Sequence, residues 1–402
     1  MTTTPVPDVD AVKTTAGSTL ILSSVWALGI GGTTMMPLLV TNTMARLRLD
    51  EGQATLMTGI EMIGMLAGCI LLPLLSRRWP AAVRSGATAV ALVLLALSQM
   101  LTAWTLSPPV FGALRLVAGL CESQMIVMVG ICLACHRDAE RLWGMVLLLS
   151  GLAVAGVFTL VSLLPDVAAG EGVWIALALL AAVLGVAAVR APSLAPARLA
   201  PQPLPLAPTE QGAGRRRLGA GVWLAWGVFV GVYSVQAGVW AVSALQGERI
   251  GLSLPTIGTL LAVSSLLGFF GAVVPAIPAL AARRGLTVMG ALLVMFASVA
   301  CFFTADGAPM FFTSQLMLNA GFYAIMAVLN SFISAQDRDG TLLSQSVVVT
   351  FAAVAVGTVG AGELFQDAGG LGVIAFSLLA LAVSVPLGLK ALRGRVSASP
   401  AL

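Results

Sequence analysis

The chain has 402 residues, 58% apolar and only 9% charged, with a mean hydropathy of +1.00. A soluble domain carries roughly 25% charged residues to wet its surface, so this composition excludes a water-soluble enzyme and points to lipid as the main surroundings. The net charge of +4 comes without a basic face or groove-reading motif, which excludes a nucleic-acid partner.

In chain order, residues 1–17 read as a cytoplasmic tail, and the apolar run after them is too long for a signal-peptide core and lacks its cleavage site, so it is a retained anchor. Runs of about 20 residues, enough to cross about 30 Å of hydrocarbon, recur at 18–41, 53–75, 81–103, 109–135, 142–164 and 172–190. Residues 191–217 are rich in proline and alanine, end in Arg215, Arg216 and Arg217, and read as a solvated linker. Six further runs follow at 218–244, 255–280, 285–304, 309–334, 342–363 and 370–392, leaving a tail at 393–402. Backbone groups in lipid must be satisfied within their own segment, so each run is a helix. The expected fold is therefore an all-α membrane protein of twelve transmembrane helices, in one six-helix bundle over 18–190 and a second over 218–392.

Cytoplasmic loops are enriched in lysine and arginine. Placing both termini in the cytoplasm puts seventeen cations on the inner side and only Arg46, Arg48 and Arg249 outside, with Arg115 left inside the fourth span. The halves repeat at an offset of about 201 residues: the fourth span runs from Pro108-Pro109 to Arg137-Asp138, the tenth from Pro309 to Arg338-Asp339.

Two local motifs accompany this plan. "GMLAGCILLPLLSRRW", residues 64–79, is similar to the loop between helices 2 and 3 of the major facilitator superfamily, with Ser76 where an aspartate is usual. "RLVAGLCES", residues 115–123, resembles that superfamily's helix 4 motif, in which an arginine precedes a glycine by four positions. The resemblance covers essentially the whole chain. It implies a transporter in an inner cell membrane, with helices 1, 4, 7 and 10 lining a central cavity, and an arginine in helix 4 that often serves as a hydrogen-bonding hub. The uncharged first span, "LILSSVWALGIGGTTMMPLLVTNT", disfavours the aromatic-acid symporters; its glycines and Pro37 read as bending points. The fifth span lacks the Gly-Pro pair of drug/proton antiporters.

Cys132-Leu-Ala-Cys135-His136 has the spacing of a c-type haem attachment site. It falls at the cytoplasmic end of the fourth span, opposite the side where haem is attached, so the cysteines read as small apolar residues. No cofactor and no metal are expected.

Ionised groups at mid-bilayer are costly and mark function by default. Glu61, Arg115 and Glu122 are such groups. Arg115 lies about 9 Å below the outer surface and Glu61 about 12 Å, at the rise of a helix, so the two can meet. Arg115 and Glu122 are seven residues apart on one helical face, with Gly119 between them leaving room for a ligand carboxylate against Arg115 while Glu122 exchanges a proton. A purely structural role, with Arg115 locked to Glu61 or to backbone carbonyls, stands beside this one. In the second half Tyr233, Gln236 and Trp240 share one face of the seventh span, and Gln315, Asn319, Tyr323, Met326 and Asn330 form a polar stripe on the tenth. Such stripes suit a wet cavity, with hydrogen bonding between helices as the other reading.

The function expected is secondary active transport of a small organic solute, driven by a proton gradient and working by alternating access, in a monomeric, non-enzymatic protein. Arg115 favours an anionic solute. An efflux antiporter of drugs or metabolites is the alternative, followed by a non-transporting sensor or scaffold.

Overall fold

The computed structural model describes residues 15–76, 79–134, 139–164, 166–191, 219–281, 283–337 and 341–393. The linker beyond Ala191, most of both tails, Arg77, Arg78, Cys135 and His136 lie outside them. The first half contains α1 (Ala16–Gly29), α2 (Gly31–Leu47), α3 (Glu51–Ser76), α4 (Ala81–Trp104), α5 (Pro108–Ala134), α6 (Ala139–Ser162) and α7 (Gly172–Ala188). The second contains α8 (Ala220–Ala241), α9 (Ser243–Arg249), α10 (Leu254–Gly268), a 3-10 segment (Phe269–Ala276), α11 (Pro278–Ala281), α12 (Arg284–Phe303), α13 (Ala308–Ser334) and α14 (Thr341–Arg393).

These elements make twelve crossings. α1 and α2 form the first, α8 and α9 the seventh, and α10 to α11 the eighth. α14 is 53 residues long and holds two, divided at Gly369, whose φ of 59° and ψ of −149° are not helical. Its packing against α8 shows the reversal. Trp226, Ser234 and Gly238 meet Ser346, Ala353 and Ala361 in rising order, whereas Gly227 and Gly231 meet Leu387 and Ser384 in falling order. The segment before Gly369 thus runs parallel to α8 and the segment after it antiparallel.

The seams within each half are lined by small residues, the usual way for membrane helices to approach closely. Gly64 and Gly68 of α3 abut Leu116 and Ser123 of α5, and Gly119 of α5 abuts the main chain of Glu61. Large apolar side chains on the outer faces, such as Leu371 at 74% and Val186 at 69% exposure, have no protein neighbours to cover them and suit lipid.

Between the halves, α3 meets the first part of α14 at Gly52–Gln366, Thr55–Gly362 and Gly59–Val359. α6 meets the eighth crossing at Ser162–Gly258 and Gly151–Phe269. These contacts run from the middle of the spans to the end away from the chain termini, where Arg249 Nη2 also reaches Glu51 Oε1 at 3.0 Å. That end of the cleft between the halves is closed.

Candidate functional site

The close α3–α5 seam brings the charged residues together. With glycine at 119 and 64, the two backbones touch, and Glu61 and Arg115 face one another inside the first half. Arg115 Nη1 donates to Glu61 Oε1 at 3.2 Å, and both side chains are fully buried. Arg115 Nη2 donates to Gln99 Oε1 and to Thr102 Oγ1, each at 2.9 Å, from α4. The guanidinium carbon also lies 4.6 Å from the centre of the Trp174 ring on α7. A guanidinium on an aromatic face gains further electrostatic attraction where water is excluded. Arg115 is therefore a hub joining four spans of one half.

Glu122 is 1% exposed and turns to a different neighbour. The first span is interrupted at Ile30 (φ −108°, ψ 8°), and α2 restarts at Gly31. The first N–H groups of a helix have no intrahelical partner, and Gly32 N–H donates to Glu122 Oε1 at 2.9 Å. A negative group there also complements the positive end of the helix dipole. Gly32 is crowded on its other side: a Cβ would lie 2.6 Å from Glu61 Oε1. Both carboxyl groups thus converge on one glycine, each leaving its Oε2 without a hydrogen-bond partner.

Two details differ from the sequence reading. Gly119 leaves no room for a ligand, because the main chain of Glu61 fills the space where its side chain would stand. Arg115 and Glu122 do share a helical face, but the guanidinium is buried against Glu61 of α3 and Gln99 and Thr102 of α4, whereas Glu122 turns to α2. Four contributors carried little sequence signal: Gln99, Thr102, Trp174 and Gly32. Gln99 and Thr102, three residues apart near the outer end of α4, are the one clue the sequence offers.

The second half contributes a separate group. Tyr233, Gln236 and Trp240, at helical spacing on α8, are half-buried. Trp240 points across the boundary, its indole N–H donating to the carbonyls of Thr33 and Thr34 at 3.1 and 3.2 Å. Gln236 Nε2 donates to Asn319 Oδ1 at 2.6 Å, leaving Gln236 Oε1 and Asn319 Nδ2 without partners. Tyr323 stacks on Phe269 with centroids 4.3 Å apart, and Tyr233 meets Phe322 edge-on at 5.0 Å. Free amide donors and acceptors beside aromatic rings suit a small polar molecule. Of the haem-like motif, Cys132 is buried, with its thiol on the Ala191 carbonyl at 3.5 Å. Among the described residues no cluster of metal-binding side chains occurs.

No family model and no curated protein matches the sequence. Solved structures do match the fold. The nucleoside transporter NupG superposes with a TM-score of 0.66 at 13% identity, covering 94% of this chain and 98% of that one. A D-xylose–proton symporter gives 0.65 at 15% identity, with coverage of 94% and 96%. A bacterial homologue of the human lysosomal transporter Spinster, inward-facing and unoccupied, gives 0.67 at 13%, with coverage of 96% and 98%.

Proposed function

We propose that this chain, which has the major facilitator fold, is a secondary active transporter that couples a small polar organic solute to a proton gradient. The observation that carries the proposal is the buried Glu61–Arg115–Glu122 cluster. The cluster holds one guanidinium, bonded to Glu61, and a second carboxyl group, Glu122, so it is left with one negative charge when both acids are ionised, and an ionised group without a counter-charge is costly in a membrane interior. A proton on one carboxyl removes that charge. The similar structures, a nucleoside transporter and a D-xylose–proton symporter among them, support a transporter of small solutes.

Solute recognition is assigned to Tyr233, Gln236, Trp240, Asn319 and Tyr323, which lie at or near the boundary between the halves. Arg115 holds the cluster together instead of meeting the solute, because its charge is already matched by Glu61. The favoured solute is accordingly uncharged and polar at this site. The closed end opposite the termini fits one of the two states that alternating access requires; the termini are assigned to the cytoplasm and the chain, as a monomer, to an inner membrane.

The test is flux into proteoliposomes carrying an imposed proton gradient, across a panel of sugars, nucleosides and organic acids. Wild type should accumulate one class only with the gradient, and Glu122→Gln should retain exchange of labelled for unlabelled solute while losing accumulation. Uptake indifferent to the gradient in wild type, Glu61→Gln and Glu122→Gln alike would remove the coupling assignment.

A further inference from the structure

The break in the first span places three bonds in sequence. Glu122 Oε1 accepts from Gly32 N–H, and the next two carbonyls, of Thr33 and Thr34, accept from Trp240 of the other half. α2 has no side-chain cap at Ile30, so Glu122 is the group that meets its first turn. Glu122 also borders a small cavity with Gln99, Leu28, Gly31 and Ala181, and its Oε2 has no partner. The charged and titratable groups around it are Glu61 from α3 and Arg115 and Cys121 on its own helix; the cavity-lining residues of α1, α2, α4 and α7 add none.

We propose that Glu122 is a proton-binding site whose occupancy is transmitted, through residues 31–34, to the Trp240 contact that joins the two halves. A proton that reaches Glu122 bonds to Oε2. Oε1 then changes from a carboxylate oxygen to the carbonyl of an acid, and its bond from Gly32 N–H falls to roughly half its strength as the charge is lost. The negative charge facing the positive end of α2 disappears with it. The first turn of α2 is freed, and the two carbonyls that hold the Trp240 indole shift with it. The proposal relies on the transporter reading only for the use made of this link, since the link itself requires no solute.

Hydrogen exchange of the intact protein, without solute, tests it. In wild type, acidification should raise exchange in residues 47–56 and 242–256, at the closed end, by about two- to fivefold after correction for intrinsic rates, the range set by a charge at a helix N-terminus. Glu122→Gln should show the raised level at both pH values. Trp240→Phe, which removes the indole N–H and leaves the carboxyl untouched, should raise exchange in the same segments, so the link can be read even if Glu122→Gln fails to fold. Wild-type protection and pH response in Glu122→Gln, or unchanged protection in Trp240→Phe, would overturn the proposal. Gradient-driven flux without this response sinks the link alone; the response without gradient-driven flux sinks the transport reading alone.

Discussion

Arg249 and Glu51 join the two halves at the closed end, Nη2 to Oε1 at 3.0 Å, while the Arg249 guanidinium carbon lies 3.8 Å from the centre of the Phe365 ring. The side chains are 43% and 27% exposed, so water screens the pair and its worth across the boundary is about 0–1 kcal/mol; Phe365 belongs to the same half as Arg249, so its ring orients the guanidinium and adds nothing between the halves. Arg249→Ala should therefore open the closed end by up to about fivefold in population. Labelling of a cysteine placed at Thr55, which is buried against Gly362, should accelerate by that factor, and raised salt should reproduce part of the effect. An unchanged labelling rate would show that the helix seams alone hold this end shut.

The Arg115–Glu61 pair behaves oppositely because no water reaches it. Removing one partner strands the other, at a cost of about 3–5 kcal/mol. Glu61→Ala and Arg115→Met should each lower thermal stability sharply, and the double variant should recover much of the loss. Equal losses in the single and double variants would show that Gln99 and Thr102, not Glu61, satisfy the guanidinium.

Gly119→Ala should disrupt the α3–α5 seam, since the added carbon meets the main chain of Glu61 and backbone cannot rotate aside as a side chain can. Gly86→Ala supplies the control: nothing lies within 4 Å of its added carbon, and alanine gains about 0.5–1 kcal/mol over glycine within a helix. Melting curves should move in opposite directions for the two variants. Both moving upward would mean that the seam is looser than its geometry.

Gln236→Ala and Asn319→Ala should weaken solute binding with little change in stability, because the amide pair leaves one acceptor and one donor unused in the absence of solute. A site built to hydrogen-bond a ligand loses heavily when a partner group is deleted. The apparent KM in vesicles should rise at least about tenfold, equivalent to roughly 1.4 kcal/mol. If KM stays and the melting temperature falls instead, the pair is a clamp between α8 and α13.

The crossings are legible in the sequence because bilayer thickness fixes their length, and α3, at Glu51–Ser76, departs from the expected 53–75 by one or two residues at each end. Depth is legible too: Glu61 and Arg115 enter from the same face at similar depth, and they meet. Rotation about the helix axis is not. It is set by which small residues interlock, and Gly119 could be recognised as a spacer without showing that the main chain of Glu61 fills it. For the same reason the destination of the Arg115 guanidinium among Gln99, Thr102 and Trp174 stayed hidden. The glycines of the first span announced a bend, but the partner of its freed N–H lies 90 residues away. The burial of Arg115 follows from that packing and not from any property of the arginine itself.

The reversal at Gly369 has a practical corollary. The eleventh and twelfth crossings pass into one another through a single left-handed residue, with Gly370 pressed on the Phe303 ring and Gly372 close to the Leu364 carbonyl. Such a corner offers no slack for an inserted epitope, fluorophore tag or protease site, and a β-branched side chain at 369 would meet a forbidden backbone angle. These two crossings therefore form one tight antiparallel hairpin, and reporters for following the protein's motion belong at the opposite margin.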